Sequence, residues 1–520
     1  MLSRILTVGG LTLISRVTGF ARDIVLAAIL GAGPLADAFF VALRLPNHFR
    51  AIFAEGAFNA AFVPAYARVR GQGGAQAAGL FADRIFTLLF AFEIALLALA
   101  LIFTPGVVAV LAPGLDPQRF ALATVLTRIT FPYLVLVSLV TLYGGILNTL
   151  GRFASPAAAP ILLNLTMIVT LALAAWFPSA GHAAAWGVLI AGVLEAWLVG
   201  GDVWWRGALP RFAPFRLDDD LRRFFRALGP AVLGSAGTQI ALLADTMIAS
   251  LLPAGALSAL YYADRLNQLP IGVIGIAVGT VLLPEMAGRL ARGDESGARA
   301  AQDRAIELTL LLSLPCFVAF LLVPDLIMLA LFGHGAFTAA DAHAAGATLA
   351  AYTVGLVPFV LARTFSATFL SRGDTATPVK ALAVSVVVNV AFKILLMKPL
   401  AQVGLAFATS IGVWINVALL LWFALRARLI AFDERLKAST WKLLLAAAAL
   451  AIALWAGQLL LEPLIRQLPR FRSETMLAVL ALIGAVIYIG AILLLFDRKW
   501  FAAFRGPAAP ARPASLPAAK

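Results

Sequence analysis

This sequence predicts an all-α polytopic membrane protein of about fourteen transmembrane helices. Composition carries the prediction first: the 520 residues are 62% hydrophobic and only 13% charged. A mean hydropathy of +0.95 leaves too little polar surface to coat a water-soluble globule. Spacing is the second observation. Apolar stretches of about 20 residues, the length that crosses a ~30 Å hydrocarbon layer, recur along the whole chain between short polar loops. They fall at 5–30, 36–66, 81–111, 119–148, 157–177, 184–204, 224–252, 257–288, 303–332, 344–371, 379–398, 403–425, 440–461 and 475–496.

The first stretch is expected to be a span and not a cleaved leader, because Arg16 and Arg22 interrupt its apolar run and no small-residue cleavage site follows a compact core. The loops set the orientation. A net charge of +14 would suit a nucleic-acid binder, but the cations sit in short connections between apolar spans, which is a topology signal, so no nucleic-acid partner is expected. Arg68, Arg70, Arg152, Arg206, Arg211, Arg289, Arg372 and Arg426 fall in alternate connections, with Lys398 and the group Arg466, Arg470, Arg472 as the main exceptions. Both termini are therefore predicted to be cytoplasmic, in the pattern of an inner membrane protein. The final stretch, "RGPAAPARPASLPAAK", is Pro/Ala-rich and predicted to be a disordered tail.

Several function classes drop out. Cys316 is the only cysteine, so no disulfide framework or cysteine-based metal site is available. His48, His182, His334 and His343 form no ligand cluster in sequence, and neither a G-x-x-x-x-G-K-[ST] phosphate loop nor an H-E-x-x-H motif is present. ATP hydrolysis and catalytic metal chemistry are not indicated. The expectation is a transporter without enzyme activity, metal or cofactor.

The chain contains an internal repeat. "ADAFFVALRLPNHF" from Ala36 aligns with "LSALYYADRLNQLP" from Leu257 at a shift of 221 residues, and "LNTLGRFASP" ending at Pro156 aligns with "FLSRGDTATP" ending at Pro378 at a shift of 222. Two distant segments thus share nearly one offset. Six spans per copy is an even number, so the copies keep one orientation and are related by a pseudo-two-fold axis along the membrane normal. The predicted organisation is a six-helix lobe over 1–222, a second over 223–430, two appended helices over 431–500 and a tail over 501–520. A central cavity between the lobes is the expected place for cargo.

An arginine at the centre of a span costs ~2.5–3.5 kcal/mol on insertion scales, so each one needs a reason. The first two spans carry Arg16, Arg22, Asp23, Asp37, Arg44, Arg50 and Glu55, and the eighth adds Asp264 and Arg265. Arg44 has an internal partner in prospect, since Asp37 lies seven residues earlier on the same helical face. Arg22, next to Asp23, reads either as a cavity residue or as a group near an outer interface. Arg16, Arg50 and Arg265 lie deeper and are harder to assign to snorkelling. Pro46 and Pro270 are predicted to break their helices at equivalent places in the repeat, because neither ring nitrogen can donate to the carbonyl four residues back. Unsatisfied backbone at membrane depth is tolerated where it lines protein or a watery cavity. With Asn47 and Arg50 alongside, the breaks point to an arginine-lined wall, which suits cargo bearing phosphate or carboxylate. Glu55 reads as a partner that holds Arg50, as a proton-carrying group, or as an interface residue. Gly272, Gly275 and Gly279 read as close helix packing.

Five segments carry a family resemblance: "SRVTGFARD" from Ser15, "DAFFVALRLPN" from Asp37, "FRAIFAEGAFNAAFVP" from Phe49, "YYADRL" from Tyr261 and "GTVLLPEM" from Gly279. Together they resemble the MurJ/MviN lipid II flippases, of the multidrug/oligosaccharidyl-lipid/polysaccharide exporter superfamily, over essentially the whole chain. The resemblance implies translocation of lipid II, the undecaprenyl-diphosphate-linked disaccharide pentapeptide, from the inner to the outer leaflet of the bacterial cytoplasmic membrane, in company with peptidoglycan synthesis. It also implies cationic cavity positions at Arg16, Arg22, Arg50 and Arg265, with Asp37 and Glu55 as acidic partners and a lipid-tail groove at the last two helices. Gln268 stands where relatives are often acidic. A cation-coupled drug antiporter of the same superfamily is the alternative; its usual cargo is cationic or amphipathic, against an arginine-lined wall. A non-transporting scaffold would leave the buried arginines unexplained.

One further pair is expected. Asp245 precedes Pro253 by about eight residues, or ~12 Å of helix, and Lys393 precedes Lys398-Pro399 by about five or six, or ~8 Å, so their depths agree within the reach of a lysine. Asn389, one turn before Lys393, would complete the polar cluster. Either the two charges pair, placing an ammonium where superfamily relatives may hold a coupling cation, or Lys393 snorkels outward and Asp245 faces water.

Overall fold

Helix is the only regular structure among the residues that the computed structural model describes, 2–50, 57–214, 216–430, 433–468 and 470–502. In chain order these are α1 (Leu2–Leu30), α2 (Pro34–Phe49), α3 (Ala57–Ile102), α4 (Thr104–Leu111), α5 (Pro117–Thr130), α6 (Tyr133–Thr149), α7 (Ala154–Ala172), α8 (Ala180–Trp205) and α9 (Asp219–Ser250). They continue with α10 (Ala256–Leu290), α11 (Glu295–Leu322), α12 (Pro324–Phe332), α13 (Ala339–Thr353), α14 (Leu356–Leu370), α15 (Ala376–Arg426), α16 (Glu434–Ile465), α17 (Arg472–Leu495) and α18 (Arg498–Ala502). Helix occupies the bulk of each predicted stretch. Nine helical stretches among the described residues are long and apolar enough to cross a membrane by length and composition. At 46 and 51 residues, α3 and α15 exceed the ~20 needed for one crossing; each is broken once, at Gly74 (φ +75°) and at Ala401 (φ +47°).

Three expectations are corrected. The polar connection expected over 67–80 is helical on both sides of Gly74, since its alanines and glutamines are good helix formers. The prolines do not end their helices. Helix α2 runs through Pro46 to Phe49, and α10 runs through Pro270 and Pro284 to Leu290. A helix in an apolar surround keeps its remaining intrahelical bonds because nothing else can satisfy them, so losing one donor does not unwind it. Of the glycines in α10, Gly275 packs against the Arg363 guanidinium, whereas a Cβ at Gly279 would meet nothing within 4 Å.

Two compact units emerge from the internal contacts: Met1–Asp264 with Leu331–Thr348 and Val390–Ala408, and Arg265–Ala330 with Leu349–Asn389 and the chain from Thr409 on. The first unit has an aromatic core in which Phe62 stacks on Phe58, Tyr66 and Phe81, closed by Phe224 from α9. Small residues bring its helices close: Gly187 of α8 lies against Thr170 and Met167 of α7, and Gly192 against Tyr133 of α6. In the second unit, Ile271, Ile274, Val278 and Met286 of α10 pack with Leu356 and Val360 of α14. There α17 packs on α16, with Gly484 against Leu450 and Leu454, and the Tyr488 hydroxyl donates to the Leu311 carbonyl of α11 at 2.8 Å. Outer faces of both units are apolar and uncovered, as at Trp205 and Leu494, which is the surface a lipid solvent requires.

Candidate functional site

Polar side chains inside the first unit gather around three acids. On α1, the Arg22 guanidinium pairs with Asp23 at 2.7 Å and donates to Asn164 Oδ1 of α7 at 3.0 Å. Asn164 in turn donates to the Ser15 carbonyl at 3.0 Å and the Thr18 hydroxyl at 3.2 Å. Asp23 also accepts from the Tyr261 hydroxyl of α10 at 3.2 Å. Arg22 is therefore held in a lattice spanning α1 and α7.

Asp37 is the second acid, and it is fully buried. Its Oδ1 accepts from the Ser258 backbone N–H at 2.9 Å and the Ser258 hydroxyl at 2.5 Å, while Oδ2 accepts from the Gly255 N–H at 2.7 Å and from Arg119 Nη1 at 3.3 Å. Those two N–H groups open α10 and have no intrahelical acceptor, so a carboxylate on α2 caps α10 from outside. Arg119 is held from its other side by Asp116, whose carboxylate caps α5 through the Arg119 N–H at 2.9 Å. That backbone bond, followed by the guanidinium, keeps the exposed Asp116 carboxyl below the usual carboxylate range. The expected Asp37–Arg44 pair does not form. Arg44 instead donates to the Thr246 hydroxyl of α9 at 2.9 Å: seven residues put two groups on one stripe but two turns apart, and each finds a nearer partner on another helix.

The contacts around Asp37 are reciprocal. Asp37 and Ser258 are 221 residues apart, as are Phe40 and Tyr261, whose rings stack with centroids 3.9 Å apart. The Gly114 N–H donates to the Ser250 hydroxyl at 3.1 Å, and Gly114 lies against the Ser250–Leu251 backbone so closely that no Cβ fits. Gly335 follows Gly114 by 221 residues and lies as closely on the carbonyl of Ala28, which precedes Ser250 by 222. Beside it the Ala336 N–H donates to that carbonyl at 2.7 Å. When residue i touches j in the other copy and the equivalents repeat the contact, the interface is isologous.

Lys393 of α15 is the third anchor: its ammonium bonds the Asp245 carboxylate of α9, with the lysine buried and the aspartate partly open. Asn389 belongs to the second unit, where its side chain lies against Gly412. Arg16 is exposed on α1; Asn47 and Arg50 are half-buried at the end of α2, where the Arg50 N–H bonds to the Asn47 and Pro46 carbonyls. Glu55 lies outside the described residues. Asp264 and Arg265 are half-buried neighbours in α10, and Gln268, one turn on, is exposed.

Sequence reasoning missed Arg119, Thr246 and Asn164, which partner the charges that it found. It also missed Arg363, exposed midway along α14, and Glu93, buried in α3 and bonded by Ser138 at 2.8 Å. Ser258 alone had a signal, because the repeat alignment sets it opposite Asp37.

The family profile "Lipid II flippase MurJ" matches residues 26–469. The chain belongs to this family. A "Probable lipid II flippase MurJ" of Rhizobium tropici is 38% identical over 501 residues, covering 94% of this chain and 93% of that protein. One of Rhizobium meliloti is 40% identical over 469 residues, covering 88% and 86%. A solved lipid II flippase MurJ in an inward closed conformation, 24% identical, superposes with a TM-score of 0.78 over 94% of this chain and 98% of its own. An inward-facing multidrug MATE transporter, 16% identical, gives 0.67 over 82% and 98%. Both structural likenesses are of fold alone, and the drug-antiporter alternative is not favoured.

Proposed function

We propose that this MurJ-family chain moves lipid II from the cytoplasmic to the periplasmic leaflet of the bacterial inner membrane by alternating access, with both termini in the cytoplasm. Family membership over nearly the whole chain carries the reading. The physical support is the charge placed in apolar spans: Arg16, Arg22, Arg50 and Arg265, with Asn47, are the groups proposed to meet the diphosphate-sugar head, since guanidinium forks match phosphate oxygens and stay charged at every physiological pH. The prenyl tail stays in lipid, and the two helices beyond the repeat, α16 and α17, are its proposed groove. The lobes over 1–222 and 223–430 are read as the two moving halves. The contact of Asp37 with Ser258 and the reciprocal contacts of Gly114 with Ser250 and of Gly335 with Ala28 support that reading, because copies related by an axis touch in this manner.

Depleting the protein and labelling lipid II by leaflet tests this proposal. Lipid II is expected to accumulate on the cytoplasmic side, and an unchanged distribution would overturn it. Alanine at Arg16, Arg50 or Arg265 is expected to reduce flipping at least tenfold while the protein stays in the membrane, and lysine to restore it only in part because the fork is lost. Full activity of all three alanine variants would remove these residues from the site.

A further inference from the structure

Away from the repeat contacts, the first unit holds a pocket of about 540 Å³ lined by Tyr66, Arg70, Asp83, Trp204, Arg206 and Arg211 among others. Its shape comes from two turns. Helix α3 breaks at Gly74 (φ +75°), so Arg70 before the break and Asp83 after it face one space. Helix α8 ends at Trp205, the chain turns at Gly207 (φ +64°), and the segment returns across α3. There the Arg211 N–H donates to Asp83 Oδ1 at 2.7 Å and the Ala213 N–H to the Thr87 hydroxyl at 2.9 Å.

The pocket's charge is unbalanced. Nearby, Arg68 pairs with Asp220 at 3.1 Å and Arg84 pairs with Asp218. Of the three arginines that line the pocket, only Arg206 has a carboxylate within 4 Å among the described residues, its own-helix Asp202 at 3.7 Å, and Asp83 is engaged by a backbone N–H. Counting Asp202 with Asp83, three guanidinium groups against two carboxylates leave one net positive charge at an open cavity, with the Tyr66 hydroxyl beside Arg70. Such a set binds phosphate oxygens bidentately. Its rim indicates where the phosphate comes from. Trp204, Trp205 and Phe212 are 64%, 81% and 68% exposed, and aromatic rings exposed beside arginines at a helix end mark the level of lipid headgroups.

We infer that this pocket is a phosphate-binding site separate from the transport site, taking the headgroup of an anionic glycerophospholipid from the leaflet that the basic loops face. Basic pockets between spans at the cytoplasmic surface bind such headgroups, and the volume admits a glycerophosphate where a bare phosphate would leave most of it empty.

Thermal unfolding of the full chain in detergent, titrated with phosphatidylglycerol, phosphatidylcholine or inorganic phosphate, tests the inference. Phosphatidylglycerol is expected to raise Tm by about 3 °C and phosphatidylcholine not to. R70Q/R211Q is expected to lose most of that rise, while Arg292→Gln, outside the pocket, keeps it. An equal rise with inorganic phosphate alone would keep the site but assign its ligand to the aqueous phase, overturning the lipid source. No rise specific to phosphatidylglycerol, or a full rise in R70Q/R211Q, overturns the site itself. Should the double variant fail to accumulate, R70K/R211K, which keeps charge and loses the fork, is expected to halve the rise; a full rise there overturns the bidentate assignment.

Discussion

Asp37 binds four donors with two oxygens, and three of the donors belong to the start of another helix. Asp37→Ala strands the α10 N–H groups and leaves Arg119 only Asp116, so destabilisation on the order of 2–3 kcal/mol is expected, with Asp37→Asn milder because an amide oxygen still accepts. Thermal unfolding in detergent reads the order, and a wild-type Tm in Asp37→Ala would contradict it. A second residue-scale test concerns Lys393, whose charge is buried beside Asp245. Lys393→Ala should harm flipping and stability more than the double change with Asp245→Ala, because the single change leaves a carboxylate with no counter-charge. Flipping should also be indifferent to sodium, since the ammonium already sits on the carboxylate. Equal damage from single and double variants, or strong sodium stimulation, would count against the pair. Depth arithmetic along two helices brought Asp245 and Lys393 into register because it needs only the rise per residue. The same arithmetic failed for Asp37 and Arg44: periodicity tells which residues share a stripe and is silent on which helix arrives to meet each one.

At the scale of elements, apolar length was legible and helix continuity was not. Every predicted stretch is mainly helical because burial in lipid leaves the backbone no other partner. Pro46 and Pro270 were over-read for the same reason, since a rule drawn from water-exposed helices allows the freed carbonyl to find solvent. Glycines show the reverse case, being uninformative in sequence and decisive in place. Gly335 combines φ +58° with an approach to the Ala28 carbonyl that leaves no room for a Cβ, whereas Gly279 sits in an ordinary helix facing open space. Gly335→Ala is therefore expected to lower Tm by several degrees and to reduce flipping. Gly279→Ala should match the wild type or exceed it slightly, since alanine is the better helix former. Identical melting curves for the two variants would show that the close contact at Gly335 is not maintained in the membrane.

For the whole molecule, the repeat was legible because the aligned segments hold the least interchangeable residues, such as Arg44 with Arg265 and Gly151 with Gly373. The use made of it was not, because an offset does not reveal that Asp37 meets its own equivalent. A transporter that carries an anionic head through a cationic site inherits a voltage dependence from that charge. With the membrane inside-negative, the field favours outward passage of the diphosphate, and over a full cycle its net work is set by the cargo's charge alone, because the charge of the arginine-bearing site moves outward with the cargo and returns without it. One net charge crossing 100 mV is worth ~2.3 kcal/mol, which corresponds to about a 50-fold bias in the transmembrane distribution if the coupling is complete. The sequence contains no G-x-x-x-x-G-K-[ST] motif. Reconstituted protein with an imposed potassium-diffusion potential is thus expected to flip lipid II faster and further at inside-negative polarity, to slow when the polarity is reversed, and to ignore added ATP. Neutralising one proposed cavity arginine should flatten the voltage dependence of whatever activity survives, because the returning site then carries less charge. Transport that is equal at both polarities would mean that the head group crosses with its charge compensated, and the potential would no longer serve as the driving force.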